Sequence, residues 1–175
     1  MTTPSFRLHI AQSLDGFIAR SNGSTDFLRP FDEVDYGFSQ FCKQIGTIVM
    51  GRKAYDIASS LGGPWFEGPS STIVITSTPL GNPPPTVARV GADIARLVTA
   101  LRKSGGKDVW IMGGAMTANA FLNAGAIDRI DLFVVPVLLG DGIPLFTSGR
   151  PEAALKFAGS QTFDKGLARL SYIRA

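Results

Sequence analysis

The stretch DVWIMGGAMTANAFLNAG, residues 108–125, decides the fold. An apolar run from Val109 to Met112 meets two adjacent glycines, Gly113 and Gly114, and then small and apolar residues suited to a helix that Gly125 closes. That is the pattern of a strand handing over to a helix. Glycine at such a junction costs roughly 0.5–1 kcal/mol of chain entropy relative to alanine, so the bare backbone there serves a close approach by something else.

The same alternation extends to either side. Arg7 to Ala11 reads as a short strand, followed by a turn at Asp15-Gly16. Asp32 to Gln44 carries Val34, Phe38 and Phe41 at spacings of four and three, which predicts an amphipathic helix. Thr47 to Met50 is a β-branched run that stops at Gly51, with a helix continuing over Lys53 to Ser60. STIVIT, residues 71–76, is a further strand, ended by STPLGNPPP, whose prolines forbid regular pairing. Asp93 is placed to cap a helix with Ile94, Leu97, Val98 and Leu101 on one face, Arg102 and Lys103 in its last turn and Gly105-Gly106 as its stop. Asp131 to Leu139 is almost continuously apolar, as in a central strand covered on both faces, with Pro136 implying a bulge or an unpaired position. LKFAGSQTF and GLARLSYIR, joined by Asp164-Lys165-Gly166, form a closing antiparallel hairpin. The order predicts an α/β fold, with a mixed sheet and helices on both faces.

No linker, repeat or charge block divides the 175 residues, so residues 1–175 read as one domain. A chain of this length buries roughly 70% of its unfolded surface. Seventeen basic and fourteen acidic residues are scattered, not clustered, which argues against a nucleic-acid partner and leaves attraction to a small anion. One cysteine, Cys42, cannot form an internal disulfide, and one histidine, His9, cannot build a His-rich metal site. No metal is expected. The N-terminal residues lack a signal core and no apolar run reaches the ~18 residues of a membrane span, so the expectation is a cytoplasmic protein without a membrane partner.

Ligands of such sheets bind at the carboxyl ends of strands. Three junctions qualify. At IVMGRKAYD, Gly51 ends a strand and a helix begins, delivering Arg52 and Lys53 where free N–H groups and the positive dipole end already favour an anion. At VITSTP, the hydroxyls of Thr76, Ser77 and Thr78 lie just past a strand end. At the third, Gly113 and Gly114 let a pyrophosphate lie against the main chain, with the helix after Met116-Thr117 aimed at it. Three phosphate-friendly junctions suit a dinucleotide better than a single phosphate. Neither GxGxxG after a strand nor GxxxxGK[ST] is present, so a Rossmann fold and a P-loop are unsupported. GxSxG is absent too, and His9, within an apolar strand, reads as a satisfied structural histidine.

SLDGFIA, VMGRKAYD, WIMGGAMTANAFL and DLFVVPVLLGDGIPLF, in that order, resemble the dihydrofolate-reductase-like superfamily, and within it the stand-alone proteins of RibD C-terminal type. The likeness runs over residues 6–173. It implies a three-layer fold with a mostly parallel central sheet, helices on both faces and a C-terminal antiparallel hairpin. It also implies NADPH as cofactor. By that resemblance Gly51, Arg52, Lys53, Thr76, Ser77 and Thr78 hold the adenosine 2′-phosphate side, and Gly113, Gly114, Ala115, Met116 and Thr117 take the pyrophosphate and nearby ribose. Backbone at Ala11 and Ile18 holds the nicotinamide carboxamide. The position after GRK, often Thr in relatives, is Ala54. With one His and one Cys the chain cannot contain the zinc deaminase domain that commonly accompanies this type.

The expected activity is hydride transfer from NADPH to a pterin- or pyrimidine-like heterocycle. The carboxylates weighed for the proton are Asp35, which stands about where dihydrofolate reductases carry their pterin-binding acid, and Asp15, with Asp26 and Asp32 behind them. Each has a plainer reading: Asp32, Glu33 and Asp35 as helix-start acids, Asp15 as a turn former. The alternative is a non-catalytic NADP(H)-binding protein that kept the groove and lost its acid. Relatives of this group often form homodimers, to which the apolar Asp131 to Leu139 region is a candidate contributor.

Overall fold

The computed structural model describes residues 2–63, 68–149 and 151–175. Ten strands are present among them: β1 (Phe6–Ser13), β2 (Phe17–Ala19), β3 (Ile45–Gly51), β4 (Ser71–Ile75), β5 (Val87–Val90), β6 (Asp108–Gly113), β7 (Arg129–Val135), β8 (Ile143–Pro144), β9 (Leu155–Thr162) and β10 (Ala168–Arg174). Four α-helices join them: α1 (Phe38–Gln44), α2 (Arg52–Ser60), α3 (Ile94–Ser104) and α4 (Ala115–Asn123). Eight strands form the main sheet in the order β5-β4-β3-β6-β1-β7-β10-β9, while β2 and β8 pair separately. The six from β5 to β7 run parallel, β10 is antiparallel to β7, and β9 is antiparallel to β10.

Alternation along each strand sends side chains to two cores. Phe6 and Leu8 of β1 and Val109 and Ile111 of β6 pack with Leu97 of α3 and Phe121 of α4. On the opposite face Ile48 and Met50 of β3, Val74 of β4 and Trp110 of β6 pack with Phe41 of α1 and Tyr55 of α2. A third cluster, Phe27, Val34, Phe133, Val135 and Leu167, lies under the 3-10 turn at Asp26–Phe31. Helices therefore cover both faces, as the sequence pattern predicts, and the terminal hairpin is present, turning at Lys165 with φ 59°. Asp93 caps α3 as predicted, its carboxylate accepting the Arg96 N–H at 3.0 Å.

Three expectations are corrected. The helix predicted over Asp32 to Gln44 begins only at Phe38, because Gly37 takes φ 80° and the Asp35 carboxylate accepts the Gly37 N–H at 3.0 Å, closing a turn ahead of the helix. The Val34, Phe38 and Phe41 periodicity straddles that turn, and Val34 belongs to the third cluster and not to a helical stripe. The strand predicted from Asp131 to Leu139 ends at Val135, and Pro136, past its end, is unpaired, the second of the two alternatives read for it, and not a bulge. Lying between β1 and β10, β7 is largely buried, whereas Leu138 in the region beyond it is 71% exposed. Finally, the proline-rich stretch is followed by an unpredicted strand, β5, at the edge of the sheet, which is where prolines nearby are tolerated.

Candidate functional site

The parallel strands bring the predicted junctions to one rim. In the β3–β6 pairing Met50 stands opposite Gly113, and in the β3–β4 pairing Gly51 stands opposite Ile75. The ends of β4, β3 and β6 are thus consecutive neighbours, and the three phosphate-friendly segments share one edge. The contact is close: a Cβ built on Gly51 would lie 2.7 Å from Thr117 Oγ1, in the first turn of α4. Gly113 has φ 107°, a conformation open to glycine, and its peptide bond to Gly114 is cis. Around the Cβ position of Gly114 there is nothing within 4 Å, so the main chain faces open space. Ala115 begins α4 with Gly114 as its cap residue, Met116 is 90% exposed on that turn, and Thr117 is buried.

Arg52 opens α2. Its Nε donates to Asp56 at 2.8 and 2.9 Å, and its Nη1 donates to Thr78 Oγ1 at 2.8 Å and to the Pro79 carbonyl at 3.0 Å. The guanidinium therefore reaches across from the β3 junction to the β4 junction. Thr76 and Thr78 hydroxyls lie 3.1 Å apart, and Lys53 is exposed. Arg89 of β5 donates from Nη1 to the Ser77 carbonyl at 3.0 Å. The sequence reading missed this cation. Recognising VARV after the prolines as an edge strand would have placed it beside Ser77.

Ala11 lies on β1, the strand next to β6, and Ile18 is buried on β2, which folds back beside β1 through a turn in which Ser13 Oγ accepts the Phe17 N–H at 2.9 Å. At that turn Asp15 receives the Ser13 hydroxyl at 2.6 Å and the N–H groups of Leu139 and Gly140 at 3.0 and 2.8 Å. These donors, the Ser13 hydroxyl first, hold its carboxyl below the usual range. The carboxylate stays ionised and ties the segment after β7 to the β1–β2 turn. Asp35 is exposed in the turn before α1 and engaged with Gly37. Asp26 is held by Arg20 and Ser24, and its carboxyl is lowered to about 2, first by the Arg20 hydrogen bond. Among the described residues no His, Cys, Asp and Glu group is arranged to hold a metal.

His9 is buried as predicted but is not satisfied. Its ring stacks on Phe41, with centroids 3.8 Å apart, and neither ring nitrogen has a hydrogen-bond partner. Asp131 Oδ2 lies 3.9 Å from Nδ1, beyond hydrogen-bond reach.

Comparison with known proteins agrees with this architecture. Residues 4–168 match the model of the RibD C-terminal domain. An uncharacterized protein of Bacillus subtilis, YwjB, is 34% identical over 169 residues, which covers 96% of this chain and 97% of that one. The crystal structure of a putative riboflavin biosynthesis protein from Shewanella superposes with a TM-score of 0.86 at 27% identity, covering 98% of this chain and 99% of that one. The structure of a diaminohydroxyphosphoribosylaminopyrimidine deaminase/5-amino-6-(5-phosphoribosylamino)uracil reductase from Thermotoga maritima shares the fold, with a TM-score of 0.73 at 17% identity, covering 99% of this chain and 57% of that one.

Proposed function

The chain belongs to the RibD C-terminal domain family, a reductase-like family, and from that premise we propose that it is an NADPH-dependent reductase acting on a pterin- or pyrimidine-like heterocycle. The observation that carries the reading is the meeting of Arg52, Thr78 and the open main chain of Gly114 along the ends of β4, β3 and β6. Phosphate oxygens ask for N–H donors and cations. Bare backbone at Gly113-Gly114 and the N-terminus of α4 suit a pyrophosphate. Arg52, Lys53 and Arg89, with the hydroxyls of Thr76, Ser77 and Thr78, suit a further phosphate on the adenosine ribose. The residues present therefore fit NADPH, and its dihydronicotinamide supplies the hydride.

The protein's own work is then placement. Backbone at Ala11 and Ile18 would hold the carboxamide. The name of the Thermotoga enzyme favours an aminouracil carrying a ribosyl phosphate. Quenching of protein fluorescence by NADPH tests the cofactor, and turnover on dihydrofolate and on the ribosylaminopyrimidine ranks the substrates. Saturable binding with oxidation of NADPH by one of them is the expected result.

One observation favours a second reading. Asp15 and Asp35, the carboxylates nearest in sequence terms to a proton-donating role, are both engaged by backbone N–H groups. A non-catalytic NADP(H)-binding protein would show tight binding and no turnover on a broad heterocycle panel.

A further inference from the structure

On the α1 face of the sheet, away from the rim just described, Arg7, His9, Tyr36, Arg129, Asp131 and Arg169 line a cavity of about 200 Å³. We infer that this cavity is a second ligand site, built for the oxyanion of a small molecule: a phosphate or a carboxylate. The inference stands independently of the cofactor reading. His9 pairs with Asp131 four residues before the paired strand ends Ser13 and Val135, which is about 13 Å along the strands at ~3.3 Å per residue.

The cavity is short of anionic groups, and the Gln44 amide oxygen in its lining is already taken by Arg7 Nη1 at 2.6 Å. Three guanidiniums line it against one carboxylate, and that carboxylate is fully used. Asp131 accepts from Arg7 Nη2 at 3.2 Å, from Arg129 Nε at 3.0 Å and from the Ser171 hydroxyl at 2.6 Å. Asp108, 3.5 Å from Arg7 Nη1, offsets part of the excess from outside the lining. Left without partners are both ring nitrogens of His9, itself 8% exposed, together with Nε of Arg7 and Nε of Arg169. Water could satisfy single N–H groups, but it does not neutralise charge. An oxyanion does both, and guanidinium forks match the oxygen spacing of carboxylate and phosphate alike. A volume near 200 Å³ corresponds to about seven waters, enough for phosphate or for a carboxylate on one small ring. Stacked on Phe41 and edge-on to Phe133 at 4.6 Å, the His9 ring is held rigidly.

His9 is the one histidine of the chain, so its ring C–H resonances in histidine-labelled protein report on this cavity alone. Sodium phosphate and sodium benzoate are titrated separately at constant ionic strength. A saturable shift of the His9 signal is expected with at least one of them, and the tighter of the two identifies the anion source. Arg169→Gln, which removes a cation that has no pairing to Asp131, is expected to weaken that binding about tenfold or more. Arg129→Gln serves as the second variant. The proposal is overturned if neither anion moves the resonance up to ~50 mM, an affinity too weak for a built site, or if the shift is unchanged in both arginine variants.

Discussion

Thr117 Oγ1 lies 2.7 Å from the place a Cβ on Gly51 would take, so the end of β3 and the first turn of α4 touch across the rim with no room for a methyl group. Gly51→Ala therefore forces Thr117 off its rotamer or pushes α4 outward. Overpacking of this kind costs about 1–3 kcal/mol. Chemical denaturation of Gly51→Ala should show that loss, and adding Thr117→Ala should recover part of it, giving a positive coupling in a double-mutant cycle. Additive losses would mean that the two segments are not in contact.

Arg52 is committed on one side to Asp56, four residues along α2. Exposed i,i+4 pairs contribute only about 0.3–0.5 kcal/mol, much less than a charged hydrogen bond to a ligand phosphate at about 1.5–3 kcal/mol, so the ligand outcompetes Asp56. Arg52→Ala is expected to weaken NADPH by about 1.5–3 kcal/mol and to leave NADH little changed. Asp56→Asn, by freeing the guanidinium, should act in the opposite direction on NADPH. Fluorescence titrations with both cofactors check this, and equal losses for both in Arg52→Ala would remove the 2′-phosphate from this corner.

How much of this was legible beforehand follows from what each signal measures. Strand runs such as Val109 to Met112, the Asp93 cap and the closing hairpin carry local patterns, and these appear where the residues predict them. The helix start at Phe38 was hidden because hydrophobic spacing ignores Gly37, whose positive φ overrides the period. Strand β5 was hidden because its four residues follow a proline run, and with it went Arg89. The rim proposed to hold phosphates was visible as three separate junctions, and only the strand order makes them adjacent. The His9 cavity was not legible at all. Its lining comes from β1, the turn before α1, α1, β7 and β10, which no sequence spacing relates.

His9 gives the fold a pH dependence of definite sign. Burial lowers its pKa below the ordinary 6.5, outweighing the raising influence of Asp131, while Arg7 and Arg169 add to the lowering. Arg129 and Tyr36 also line the cavity. As pH falls through 6.5 the unfolded chain takes the proton before the folded one does, so stability is complete above that value and is lost progressively below it. The slope for one proton approaches about 1.4 kcal/mol per pH unit. Denaturation midpoints between pH ~7.5 and ~5, in buffers free of phosphate and carboxylate, should fall for the native sequence and stay flatter for His9→Phe across the same range. Parallel curves for the two proteins would assign the dependence to another group.

Asp15 separates two roles by experiment. As the acceptor for Leu139 and Gly140 it restrains the segment after β7; as a proton donor it would act on substrate. Asp15→Asn keeps one acceptor oxygen, whereas Asp15→Ala keeps none. For the restraining role, hydrogen exchange at the Leu139 and Gly140 amides should be fastest in Asp15→Ala and intermediate in Asp15→Asn, with cofactor affinity following the same order. Lowering pH on the native protein should loosen the same amides only below the ordinary carboxylate value of 3.8, because the Ser13 hydroxyl and the two N–H groups keep the folded carboxyl ionised further down. A donor would behave otherwise: Asp15→Asn would abolish turnover as completely as Asp15→Ala, out of step with its smaller effect on exchange at the two amides. Since a carboxylate already held by three donors gives up its proton readily and regains it poorly near neutrality, graded exchange is the expected outcome.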